Sequence, residues 1–161
     1  MPDFKPLFVA SHGQPIEFEG RPVQASLRLQ LAPESRLHIL FESSIHKPVQ
    51  GICITADQPK HRLVVSGVSA RSFVLWRDTA PNHDEVSVPR ARQRVPVTIY
   101  NVWRDEKYGT MMYGLNAAAM RVTQEAPGKW LLECSDGWGT DANFRDLVVR
   151  VVEESGSGGA A

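Results

Sequence analysis

The most regular stretch of the chain alternates strictly between apolar and polar residues. Val23, Ala25, Leu27, Leu29 and Leu31 fall on one side, and Gln24, Ser26, Arg28 and Gln30 on the other. Successive side chains of a strand point to opposite faces, so this pattern predicts one buried and one wet face, as antiparallel sheets carry. The alternation then recurs. Leu37, Ile39 and Phe41 mark a strand over 36–43, and turns at 48–51 and 57–60 frame strands over 52–56 and 61–68. Phe73 and Leu75 oppose Val74 and Trp76 over 72–77. Val95, Val97, Ile99, Asn101 and Trp103 share one face of the next strand, with Thr98, Tyr100 and Val102 on the other. Pro96 fits the start or the edge of that strand, because it has no N–H to give to a ladder. Near the end, Trp130, Leu132 and Cys134 alternate with Leu131 and Glu133, and Leu147, Val149 and Val151 with Val148, Arg150 and Val152.

The remaining pieces are less regular. Residues 4–11 predict a short first strand, and Ile16 and Phe18 a second extended piece before Gly20 and Pro22. Residues 78–85 are polar and hold Pro81, Asn82, His83 and Asp84, which predicts a loop, followed by a short strand at Val86 and Val88 that Pro89 ends. Over 110–122, Ala117, Ala118, Ala119 and Met120 favour a helix by propensity, while Gly114 and Asn116 weaken one, and a kinked strand is expected. Together these elements predict an all-β fold, a single antiparallel β-sandwich of about eight or nine strands with little or no helix. The domain is expected to cover 4–153. The Gly-, Ser- and Ala-rich 154–161 has the composition of a disordered tail or a cloning remnant.

Composition changes this picture little but excludes several classes. The 161 residues are enough for a core without a disulfide or metal staple. Lys and Arg number 18 and Asp and Glu number 18, so the chain lacks the basic field of a non-specific nucleic-acid binder. No apolar run approaches the roughly 18 residues that span a bilayer, so no membrane partner is expected. The opening residues have no charged and then apolar leader pattern. With only Cys53 and Cys134, both in apolar runs, the expectation is a cytoplasmic protein with free thiols; a Cys53–Cys134 disulfide is the alternative.

From Val95 onward the motifs are those of a known kind of domain. Val97-Thr98-Ile99-Tyr100 leads to Trp103, and Asp136-Gly137-Trp138-Gly139 leads to Asn143-Phe144 and a final strand. This last third resembles the starch-binding type of carbohydrate-binding β-sandwich module. The run of consecutive asparagines usual there is replaced by Gly137-Trp138-Gly139. The resemblance implies a β-sandwich that holds a glycan on exposed aromatic rings.

The residues themselves offer four kinds of site. The first is an aromatic platform of Trp138 and Trp103 with Tyr100 or Tyr108, rimmed by Asp136, Asp141 and Asn143; a sugar stacks its C–H face on an indole and gives its hydroxyls to carboxylates and amides. Trp76 and Trp130 are expected in the core. The second is a calcium loop of Asp136, Asp141, Asn143 and Asp146, set against a loop held together by Asx-type bonds to its own backbone. The third is a basic stripe of Arg90, Arg92 and Arg94 on one strand face, set against a charge-protected edge strand. The fourth is catalytic, with His83 as base and Asp84 as its orienter, or a carboxylate pair drawn from Asp78, Asp84, Asp105 and Glu106; His12, His38, His46 and His61 are scattered without a metal-ligand spacing. The leading expectation is a non-catalytic binding module for a glycan or another small polar ligand. The alternatives are a small enzyme built around His83 and a protein-interaction or accessory subunit, with a homodimer as one form of the latter.

Overall fold

The computed structural model of the chain describes residues 2–89, 91–138 and 141–155. It begins with one short helix, α1 (Lys5–Ala10), and a small hairpin of β1 (Ile16–Phe18) and β2 (Arg21–Val23). Then come β3 (Leu27–Leu31), β4 (Arg36–Ser44) and β5 (Gln50–Ala56), followed by the shorter β6 (Leu63–Val65), β7 (Val68–Ala70), β8 (Ser72–Trp76) and β9 (His83–Ser87). The chain finishes through β10 (Val95–Arg104), β11 (Met111–Met112), β12 (Ala119–Ala126), β13 (Lys129–Ser135) and β14 (Leu147–Glu154).

These strands make an antiparallel all-β fold. One sheet has seven strands in the order β12-β13-β14-β4-β9-β6-β7. The other has β11-β10-β5-β8, with β3 also paired to β10. The alternation in the sequence explains how they meet. Leu27, Leu29 and Leu31, Ile52 and Ile54, and Val95, Val97 and Ile99 point inward from the five-stranded sheet. Leu37, Ile39, Phe41, Leu132, Leu147, Val149 and Val151 point inward from the seven-stranded one, and all join one buried cluster. The two sheets therefore share a core, as the layers of a sandwich do.

A second, smaller core lies at the N-terminal side. Phe4, Val23, Ala117, Ala119 and Phe144 are buried together, with Phe8, Ile16 and Phe18 packed against them. It accounts for a helix where a strand is expected. Residues 4–11 form α1 rather than a strand because their apolar spacing is four, not two. Phe4 and Phe8 meet edge to face at 6.3 Å, the Phe8 N–H bonds the Phe4 carbonyl at 2.9 Å, and Pro6 sits in the first turn, where it is tolerated.

The strands number fourteen among the described residues rather than eight or nine. The expected strand over 61–68 is folded into a hairpin of β6 and β7 by Ser66 and Gly67, both at positive φ, and β1, β2 and β11 are short additions. His83 belongs to β9 and not to a loop. Residues 110–122 are an interrupted extended segment, as expected, with Asn116 at φ 52° between β11 and β12. The arginine stripe does not form on a strand. Arg92 and Arg94 lie in the bend before β10, where the Arg94 guanidinium bonds the Gln30 carbonyl, and Arg90 lies outside the described residues. Cys53 and Cys134 are buried and unpaired. No helix among the described residues is long and apolar enough to cross a membrane. The tail at 156–161 also lies outside the described residues.

In the five-stranded sheet, Gly51 leaves no room for a side chain. A Cβ there would stand 2.8 Å from the Trp76 ring, 3.0 Å from the Leu75 carbonyl oxygen and 3.2 Å from Val102. Gly51→Ala is expected to destabilise the domain by about 1–3 kcal/mol, as overpacking does. Urea unfolding of the variant against the parent chain measures it, and an unchanged midpoint would contradict the packing described.

Candidate functional site

The long strand β10 is flanked unevenly. β5 pairs with it along Val97–Trp103 on one edge. On the other edge β3 pairs with Val95–Ile99 and β11 only with Trp103 and Arg104. Residues 100–102 thus have no strand partner on that side. A cleft of about 420 Å³ lies over this gap, walled by α1, the residues just before β3 and the segment after β11. Its volume falls within the range of about 300–1,000 Å³ common for small-molecule sites.

The wall is largely apolar. Tyr100 from β10 and Tyr113 from the following segment face each other with ring centroids 5.4 Å apart and planes inclined at 54°. Phe8 and Val9 of α1 close the other side, Ser26, Thr98 and Asn101 are polar members of the lining, and Lys5 is its only charged residue among the described residues. Tyr113 is about half exposed, while Tyr100 lies deeper. Burial, together with Cys53 and Tyr113 beside it, raises the Tyr100 phenol well above its ordinary pKa, so it stays protonated and neutral.

Of the expected platform, Tyr100 lines this cleft and Trp103 does not. Trp103 is 1% exposed, a correction to its expected role as a ligand-stacking ring. Its position in β10 shares parity with Val97 and Ile99, so it points into the sandwich. The main chain crosses its ring at Gly137, where a Cβ would meet Trp103 at 2.8 Å and the Leu115 carbonyl oxygen at 2.2 Å. That close approach requires glycine and explains why the loop carries one there. Trp138, by contrast, is 53% exposed, and Tyr108 is exposed in a separate turn beside Lys107. Trp76 and Trp130 are half-buried rather than fully in the core. Arg104 stacks on Trp76 at 4.6 Å, and Trp130 packs against the edge of the main cluster.

The acids of the loop after β13 have mostly turned inward. Asp136 is 1% exposed, which corrects its expected place on a ligand rim. One of its oxygens accepts from the Trp138 N–H at 3.1 Å and the other from the Gln50 amide at 2.8 Å. Asp146 is buried too, and its oxygens accept from the Asp136 N–H at 2.9 Å and the Asn143 amide at 3.3 Å. Asn143 Oδ1 accepts from the Arg145 N–H at 2.7 Å, and the Ser135 hydroxyl accepts from the Phe144 N–H at 2.7 Å. This is a loop tied to its own backbone, with each oxygen of the two buried acids already holding a protein donor. Asp141 is exposed.

His83 and Asp84 do not act together. As neighbours in β9 they point to opposite faces, and the Asp84 carboxylate accepts from the Glu85 N–H at 2.9 Å. His83 instead meets His38, whose Nδ1 lies 2.8 Å from its Nε2. Sequence reasoning missed Phe8, Lys5 and Tyr113 in the cleft. α1 was read with the wrong period, and nothing local in Met112-Tyr113-Gly114 marks a ring lying over β10.

A scan of the chain against protein-family models finds no match, and a search of curated proteins finds none either. The reading of the site rests on its geometry.

Two measurements separate the roles assigned above. Trp103→Ala is expected to cost about 3–5 kcal/mol of stability and Trp138→Ala less than about 0.5 kcal/mol. Equal effects in denaturant unfolding would contradict the burial difference. For Asp146, burial first and the adjacent Asp136 carboxylate second raise the folded pKa above the ordinary aspartate value. Its contribution to stability is therefore full below the unfolded pKa of about 4 and is lost as pH rises through the folded value. The stability of the parent chain relative to Asp146→Asn is expected to fall as pH rises above about 4, read from urea midpoints at each pH; a rise would reverse the sign.

Proposed function

We propose that this protein is a non-catalytic binding domain that seats a small, largely apolar ligand in the cleft over the gap along β10. The observation that carries this reading is the facing pair Tyr100 and Tyr113 in a concave, apolar wall with Lys5 at its mouth. The two inclined rings pack against each other and together present an aromatic wall on which a flat ring system can stack, and such contacts add to the burial of apolar surface. Lys5, the one ammonium lining the cleft among the described residues, favours an acidic group at the ligand's outer end, and Ser26 supplies a hydrogen bond at the gap. The neutral Tyr100 phenol is a hydrogen-bonding wall and not a base. A sugar fits this wall less well, because its many hydroxyls would lose water for few partners.

The glycan reading keeps one observation in its favour, the exposed indole of Trp138. Loss of binding to a glycan array on Trp138→Ala, with the melting temperature unchanged, is the result that reading requires.

For the cleft, 2-naphthoate and the uncharged 2-naphthol serve as paired probes. Tyr113→Ala is expected to weaken both by about tenfold, equivalent to about 1.4 kcal/mol. Lys5→Met is expected to weaken the naphthoate alone. Fluorescence titration reads both, and failure of either probe to bind, or binding that ignores Tyr113, would overturn the proposal.

A further inference from the structure

The outer face of the seven-stranded sheet carries a group of side chains that the cleft does not use. Register places His38 of β4 directly opposite Glu85 of β9 and Leu40 opposite His83, so His83 and Glu85 are outward neighbours two residues apart on one strand and His38 stands diagonally beside His83. His38 Nδ1 lies 2.8 Å from His83 Nε2 and 3.6 Å from Glu85 Oε1. The three ligand atoms lie within 4.8 Å of one another, and among the described residues no other three or more His, Cys, Asp or Glu side chains converge in this way. On its far side His38 Nε2 lies 2.5 Å from Glu154 Oε2, on β14.

We propose that His38, His83 and Glu85 form a binding site for a divalent transition-metal ion of the zinc or cobalt type, with Glu154 as the carboxylate that orients His38. Bond lengths of about 2.0–2.2 Å around a tetrahedral ion place donor atoms about 3.3 Å apart. The separations of 2.8 and 3.6 Å from His38 bracket that value, and the third, between His83 and Glu85, is within 4.8 Å, so side-chain adjustment brings the three donors around an ion. Two imidazoles and a carboxylate are the donor set that such ions favour over calcium or magnesium.

The Glu154 contact is the second argument. A metal-binding histidine characteristically gives its other N–H to a carboxylate, which fixes the tautomer and turns the free lone pair toward the ion. With Nε2–H committed to Glu154, the lone pair of His38 Nδ1 faces the site. Two ring nitrogens 2.8 Å apart need one proton between them, so without a metal His83 donates its Nε2–H to His38. An ion seated between the same two nitrogens would take the place of that hydrogen bond, with the His83 proton passing through solvent to its Nδ1 so that both imidazoles bind neutral and no net proton is released. Because His83 and Glu85 are exposed, the ion keeps at least one position open to water or a further ligand. Arg36, in the neighbouring outward row, faces Glu154 and not the three ligands.

This site lies on the outer face of the opposite sheet from the cleft, so it stands or falls separately from the proposed ligand. The test is titration of the full chain with Co²⁺, followed by visible absorption, and with Zn²⁺ by calorimetry. One ion per chain is expected with a dissociation constant of about 10 µM or tighter. His83→Ala should abolish the Co²⁺ absorption bands. Glu154→Ala should weaken binding by about 10–100-fold, as loss of an orienting carboxylate does. His46→Ala, an exposed histidine elsewhere, should change nothing. Each variant is checked by circular dichroism, and His83→Gln replaces any His83→Ala that does not fold. A constant weaker than about 1 mM, or affinity unchanged by His83→Ala, or unchanged by Glu154→Ala, would overturn the proposal.

Discussion

β10 needs hydrogen-bonding partners on both edges, yet on one edge two strands share the work and do not meet. A main-chain edge left open is exposed to water or must be covered, because backbone donors and acceptors are obligatory hydrogen-bonding groups. Here the covering is done by α1 and by the segment after β11, and both stand off from the edge. The cleft is the space between an edge that β3 and β11 leave incomplete and the pieces laid across it. The small second core holds those pieces in place. Phe4 buries one end of α1 against Phe144 and Ala117, and the Phe4 N–H bonds the Asn116 carbonyl at 2.7 Å.

The loop between β13 and β14 belongs to the same arrangement from beneath. The Asn101 side chain donates to the Ser135 carbonyl and the Asn116 side chain to the Gly137 carbonyl, both at 2.9 Å. Asp136 and Asp146 then hold the backbone of the turn. Buried carboxylates cost free energy unless they are bonded, and these two are. Their place under the loop lets the chain cross Trp103 at a distance only glycine permits. A stretch dense in acids and glycine can be read as a ligand loop or as an internal brace, and burial decides for the brace at Asp136 and Asp146.

Much of the sandwich was legible in the residues. Period-two alternation located β3, β4, β5, β8, β10, β13 and β14, because a sheet with one buried face imposes that period directly. The same rule misled where the period was short or mixed. Phe4 and Phe8 stand at a spacing of four, which a period-two reading turns into part of a strand, and a three-residue strand such as β6 or β7 is too short to show any period. Trp103 is the instructive case. Its strand parity with Val97 and Ile99 already placed it inward, and only its likeness to an exposed tryptophan in a sugar-binding module argued outward. The parity was right.

The alternation of residues along the chain is enough to define the sheets and their inward faces, since these follow from backbone geometry within a few residues. Which distant side chains meet is not a local matter. Tyr100 and Tyr113 are thirteen positions apart, and His38 and His83 forty-five. Their meeting depends on strand order and register, which are set by the whole core at once. Both proposed sites are contacts of that long-range kind, so no local motif announced them.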